Sequence, residues 1–145
     1  MENIHPQVVS TPNERQWAAL AHAGALALAL LTSWTAGFAG MLAAIAVYLL
    51  KKDESAFIAE HAREAFNFNL SMFLYMCAVC IAGALLIGAT VLTLGIGIIL
   101  TLPTGLILLA VAAAVAVAWL VCSIIATVKA WNGESYRYPL TIRLL

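Results

Sequence analysis

Polar and apolar positions fall in blocks along this chain instead of alternating. Gln16 to Leu50 is apolar save for His22 and scattered hydroxyls. Lys51 to Asn69, KKDESAFIAEHAREAFNFN, is a long polar interruption that holds seven of the fourteen Asp, Glu, Lys and Arg side chains. Leu70 to Val128 then runs for 59 residues without one Asp, Glu, Lys, Arg or His. An apolar run of about 18 residues already suggests a membrane span. The second block is therefore expected to hold two spans, about 70–94 and 104–128. Between them Thr90 to Gly97 weakens the helix, and Pro103 suits the first turn of a new one. The first block is too long for one span, at about 50 Å of helix against about 30 Å of hydrocarbon. It divides into two short spans, about 16–32 and 36–50, with a turn at Thr32–Gly37 and Trp34 at the water interface. A re-entrant hairpin that does not cross fully is the alternative.

Local signals set the other boundaries. Residues 1–10 show no periodicity and are expected to be loose. Thr11-Pro12-Asn13-Glu14 reads as a capping box with proline at the first helical position. Ser55 reads as an N-cap. From Ala56, at 100° per residue, Phe57, Ile58, Ala62, Ala65, Phe66 and Phe68 fall on one half of a helix. Glu60, Arg63, Glu64 and Asn67 fall on the other. This pattern predicts an interfacial amphipathic helix over 56–69. Asn132-Gly133 is a helix stop. The tail, 134–145, is extended by Tyr138-Pro139 and is expected to pack on the 56–69 helix, burying Tyr136 or Tyr138.

Composition sharpens the class. The chain is 64% hydrophobic and 10% charged, against about 25% charged in soluble domains. The fold predicted is all-α: a polytopic membrane protein with four transmembrane helices in two hairpins, plus a cytoplasmic interfacial amphipathic helix. With four crossings all seven basic residues (Arg15, Lys51, Lys52, Arg63, Lys129, Arg137 and Arg143) fall on one side. The positive-inside rule makes that side cytoplasmic. Both termini are then cytoplasmic, in a bacterial inner (plasma) membrane. The charged face, including Glu60, Arg63, Glu64, Tyr136, Arg137 and Tyr138, is the expected surface for a protein partner or self-association, with lipid around the rest. No basic run of the kind that binds nucleic acid occurs.

Candidate chemistry is sparse. His22 lies inside the first span, and Asn67, Asn69 and Ser71 start the third at similar depth. His61, on the apolar half of its helix, could pack against His22 or the tail. His22, His61, Asn67 and Asn69 are expected to form an interhelical polar cluster, with His22 bonded to Asn67 or Asn69. Neither histidine has a second histidine or a cysteine three or four residues away on its helix, so no metal or cofactor is expected. Glu60 and Glu64 resemble a solvated face more than an acid–base pair. No nucleophile motif or phosphate-cradling glycine loop occurs, and the chain reads as non-enzymatic. Cys77, Cys80 and Cys122 read as small buried hydrophobes.

Several stretches together resemble a known family. They are Glu14-Arg15-x-Trp17 through His22, Lys52-Asp53-Glu54-Ser55-x-Phe57, His61-Ala-Arg-Glu64-Ala65-x-Asn67-Phe68, and Asn132-Gly133-Glu-x-Tyr136-Arg137-Tyr138-Pro139-Leu140. The combination is similar to the Tic twenty-like family of small bacterial four-span proteins, a domain of unknown function (DUF 4870). It departs from that pattern at Ser55-Ala56-Phe57 and Gly40-Met41-Leu42. The resemblance implies four spans and no assigned activity. Its plastid relative implies, as an alternative role, a component of a protein-translocation or channel assembly.

Overall fold

A computed structural model describes residues 10–32 and 36–145. The expected loose N-terminus and most of the Thr32–Gly37 turn, with Trp34, lie outside them. The described residues form four α-helices and no strand: α1 (Pro12–Leu31), α2 (Ala36–Lys51), α3 (Ala56–Leu92) and α4 (Ile98–Trp131).

The two predicted helix starts are built from the expected side chains. Thr11 Oγ1 accepts from the Glu14 N–H at 3.3 Å, and the Glu14 carboxylate accepts from the Thr11 N–H at 2.7 Å. Ser55 Oγ accepts from the Ile58 N–H at 3.4 Å. The Ser55 hydroxyl also donates to Glu14, tying the start of α3 to the start of α1. That bond, followed by the Thr11 bonds, holds the Glu14 carboxyl below the usual carboxylate range. Ser55→Ala removes a cap and a cross-helix link at once. It is expected to cost about 1 kcal/mol, read as a lowered thermal midpoint in detergent micelles. An unchanged midpoint would show both bonds to be idle.

α3 is continuous for 37 residues, about 55 Å. The interfacial helix, expected to run on or bend into the third span, runs on: the two are one rod, because no breaker separates them and the polar side chains at the junction satisfy themselves locally. Asn69 Nδ2 donates to the Ala65 carbonyl at 2.8 Å, and the Ser71 hydroxyl to the Asn67 carbonyl at 2.7 Å. Chain reversal into α4 uses Leu94 and Gly95 at positive φ, 52° and 86°. The Gly97 N–H then donates to Thr93 Oγ1. This cap starts α4 at Ile98, so Pro103 lies inside the helix and not in the first turn as expected. Near a helix start the missing N–H removes a single ladder bond.

α1 and α2 form an antiparallel hairpin on the polar half of the α3–α4 pair. Ala21, Ala44, Ala62 and Ala65 meet with Val47 and Ile58, and Ala18 and Ala19 meet Ala130. These small side chains let the backbones approach closely. The last buried residue of α3 is Met72 and the first of α4 is Ser123. Beyond them the α3–α4 hairpin is uncovered, with Leu85 69% and Ile99 77% exposed.

The expectation of four transmembrane helices is corrected here. Among the described residues only α3 and α4 are long and apolar enough to cross a membrane. α2, with 16 residues, is about 24 Å long against about 30 Å of hydrocarbon. The hairpin is also held low, with Glu14 beside Ser55, His22 beside His61 and Gly40 against Asn69. The distal halves of α3 and α4 enclose a furrow of about 540 Å³ lined by Val79, Leu86, Leu102 and Leu109, with a Thr90–Thr101 hydroxyl pair at 2.7 Å. It lies far from the buried polar groups. Cys80 is exposed and Cys77 and Cys122 are half-buried, so the cysteines are not buried as expected. They sit on the uncovered hairpin.

Candidate functional site

The charged side chains collect where α1 begins, α2 ends, α3 begins and α4 ends. The tail completes this end of the molecule. α4 stops as the Glu134 N–H bonds back to the Lys129 carbonyl and Gly133 takes φ 79°. Lys129 also pairs with Glu134 at 2.6 Å. The chain then turns onto one stripe of α3.

That stripe is Glu64, Asn67, Ser71 and Tyr75, spaced three, four and four residues apart and hence on one helix face. Its side chains read the tail's main chain. Glu64 Oε2 accepts from the Tyr138 N–H at 3.2 Å, and Ser71 Oγ from the Ile142 N–H at 2.8 Å. Asn67 Oδ1 accepts from the Leu144 and Leu145 N–H groups at 3.0 and 3.2 Å, while its Nδ2 donates to the Leu145 carbonyl. The Tyr75 hydroxyl donates to the Leu140 carbonyl at 2.7 Å. Arg143 Nε adds a bond to Glu64 Oε1 at 3.0 Å.

This placement corrects the expected faces. Glu64, predicted to face water, is buried because the tail covers it, and Asn67, placed on the polar half of the same helix, is buried under the tail as well. Tyr138 is buried and Tyr136 half-buried, while Glu60, Arg63 and Arg137 remain exposed. The expected interaction face therefore divides into an exposed part and a part used for internal packing. Arg63 lies over the Tyr48 ring at 5.5 Å.

Beneath the tail three rings form a row. The Tyr138 hydroxyl lies 2.9 Å from His22 Nδ1, and His22 Nε2 lies 2.9 Å from His61 Nδ1. Tyr138 stacks on Phe68 at 3.9 Å, and Phe57 meets the His61 ring edge-on at 4.5 Å. A proton assignment that fits has Tyr138 donating to His22 Nδ1 and His22 Nε2–H donating to His61 Nδ1. His61 Nε2 is buried and unpartnered, lying toward the Glu134 main chain without a hydrogen bond. His22, His61, Asn67 and Asn69 are all buried, but His22 does not bond Asn67 or Asn69 as expected. Asn67 serves the tail, and Asn69 Oδ1 accepts from Trp119 Nε1 at 3.1 Å. Sequence reading missed Tyr75 and Trp119, and named Ser71 and Arg143 without their partners. The spacing 64, 67, 71, 75 was the available signal.

Burial pushes the His22 imidazole down to about 3, with the His61 charge adding to the shift. Burial also raises the Tyr138 phenol well above its ordinary value and the Tyr136 phenol to about 12. A raised Tyr138 contributes stability that is fully present below the unfolded tyrosine value, about 10, and is lost as pH rises through the folded one. Tyrosinate absorbance is therefore expected to show a late ionisation step coincident with tail release, and Tyr138→Phe to abolish that step.

The arrangement positions groups within the fold. Among the described residues no three of His, Cys, Asp and Glu converge on a single point.

A family model described as "Magnetosome magnetite crystal formation protein family" matches residues 13–145. No curated protein and no solved structure matches. The match overturns the resemblance to the Tic twenty-like family, and the translocation role it implied loses its support. The residues that carried the resemblance (Glu14, His22, Ser55, His61, Glu64, Asn67 and Tyr138) are those that bond α1, α3 and the tail together. They specify packing, which explains why they do not by themselves define an activity.

Proposed function

Because the chain belongs to the magnetosome magnetite crystal formation protein family, we propose that it is a non-catalytic scaffold of the magnetosome membrane. It acts on crystal formation through the proteins, or further copies of itself, that dock on its charged end. The observation that carries this is the placement of charge. Every Asp, Glu, Lys and Arg among the described residues lies at one end, while the Thr93–Gly97 turn at the other end has none. In this reading α3 and α4 cross the bilayer. The apolar tip of the α1–α2 hairpin, with Leu28 and Leu31 exposed, dips into the near leaflet as a re-entrant hairpin. The basic residues then put the charged end in the cytoplasm, and the uncharged turn offers a mineral surface no carboxylate. The protein works on the crystal indirectly.

A Glu60→Ala, Arg63→Ala, Arg137→Ala triple variant tests this, since all three side chains are exposed. In magnetite-forming cells it is expected to reach the membrane normally, to lose partners in mild-detergent affinity purification, and to give smaller crystals by electron microscopy. Normal crystals, or a charged end labelled by impermeant reagents from the far side of the membrane, would overturn the reading.

A further inference from the structure

The three-ring row joins the tail to the body of the protein through groups that all titrate. Tyr138 is on the tail, His22 on α1 and His61 on α3, with 2.9 Å at each junction. Both imidazoles are 1% exposed. One proton lies between the two rings, whichever nitrogen carries it. A proton added to either ring places a cation where water cannot reach it. With both rings protonated, N–H faces N–H across the junction, and the Tyr138 hydroxyl must turn from donor to acceptor toward His22.

We propose that the Tyr138–His22–His61 row is an acid-released latch. It holds the tail on α3 while both imidazoles are neutral and frees it when both take a proton. Release uncovers the Glu64, Asn67, Ser71 and Tyr75 stripe, whose hydrogen bonds the tail otherwise fills.

Other charged and titratable groups border the latch. α3 contributes Glu64, and the tail contributes Glu134, Tyr136, Arg137 and Arg143. α4 contributes Cys122, beside Tyr136. α2 sends its nearby charge, Lys51, to Glu54 and over Trp17 instead. Glu64 is the rival trigger, because its carboxylate bonds both Tyr138 and Arg143. The two differ in slope. Two histidines that each gain a proton on opening make the open-to-closed ratio rise about a hundredfold per pH unit below about 6. One group gives about tenfold.

Amide exchange of the full chain in lipid nanodiscs, corrected for the intrinsic pH dependence of exchange, reads this ratio for 138–145. The expected result is a steep loss of tail protection on acidification while α1 and α4 stay protected. His61→Asn, which keeps an acceptor for His22 Nε2–H, halves the logarithmic slope, and Glu64→Gln leaves it intact. Tyr138→Phe, which retains the Phe68 stack, loosens the tail at neutral pH and flattens its pH dependence. Three results would each overturn the latch: protection unchanged between pH 7 and about 4.5, loss of the helices together with the tail, or a slope that survives His61→Asn and vanishes with Glu64→Gln.

Discussion

Phe68→Ala is expected to destabilise the folded protein by about 3–5 kcal/mol, the range for removing a buried aromatic ring. Phe68 is among the largest fully buried side chains, and its ring lies parallel to Tyr138 at 3.9 Å. It links the α3–α4 pair to the tail, in a cluster with Met72, Ala126 and Tyr138. The thermal midpoint should fall, and protection of 138–145 should fall further than that of α1. A double-mutant cycle with Tyr138→Ala should return a coupling of about 0.5–1.5 kcal/mol for the stack itself. Additive effects would mean that the two rings are neighbours without an energetic link.

Gly40→Val should separate the α1–α2 hairpin from α3. A Cβ at Gly40 would stand 2.5 Å from Asn69 Oδ1, 2.9 Å from its Cγ and 3.2 Å from the Ala25 carbonyl oxygen. Neither neighbour can yield cheaply. Asn69 is pinned by the Ala65 carbonyl on one side and the Trp119 indole on the other, and Ala25 contributes backbone. Overpacking of this kind costs about 1–3 kcal/mol, and a stranded Asn69 or Trp119 dipole adds about 1–3 kcal/mol more. Trp119 fluorescence should shift as its N–H partner moves. A variant with the parent's midpoint and spectrum would show that the hairpin is not seated against Asn69 as described.

The sequence carried the local structure well and the long-range structure unevenly. Thr11, Glu14 and Ser55 were readable because a cap is completed within three residues. The tail's return to α3, with Tyr138 buried, was readable from where the aromatic residues stand after Gly133. The first apolar block misled because hydropathy counts apolar residues without fixing where a helix sits along its neighbour. The height of α1 and α2 is set by contacts such as His22–His61 and Gly40–Asn69, between residues about 30 to 40 positions apart. Glu64 misled for a related reason, and Asn67 found a different partner. A helical wheel places both with Glu60 and Arg63, and nothing local announces that residues more than 70 positions later will cover them. The wrong family resemblance arose from residues whose task is this internal bonding.

An unbroken α3 has a mechanical consequence. At about 55 Å, a rod that crosses the bilayer as proposed exceeds the roughly 30 Å of hydrocarbon by about 25 Å, and the tail rides on the excess. Tilt imposed on the submerged half, by a thicker or thinner bilayer, would then reach the platform outside undiminished. A lean of about 10° over that projecting length would swing it sideways by roughly 4 Å, so that under the proposed docking bilayer thickness becomes a position that a neighbour would feel.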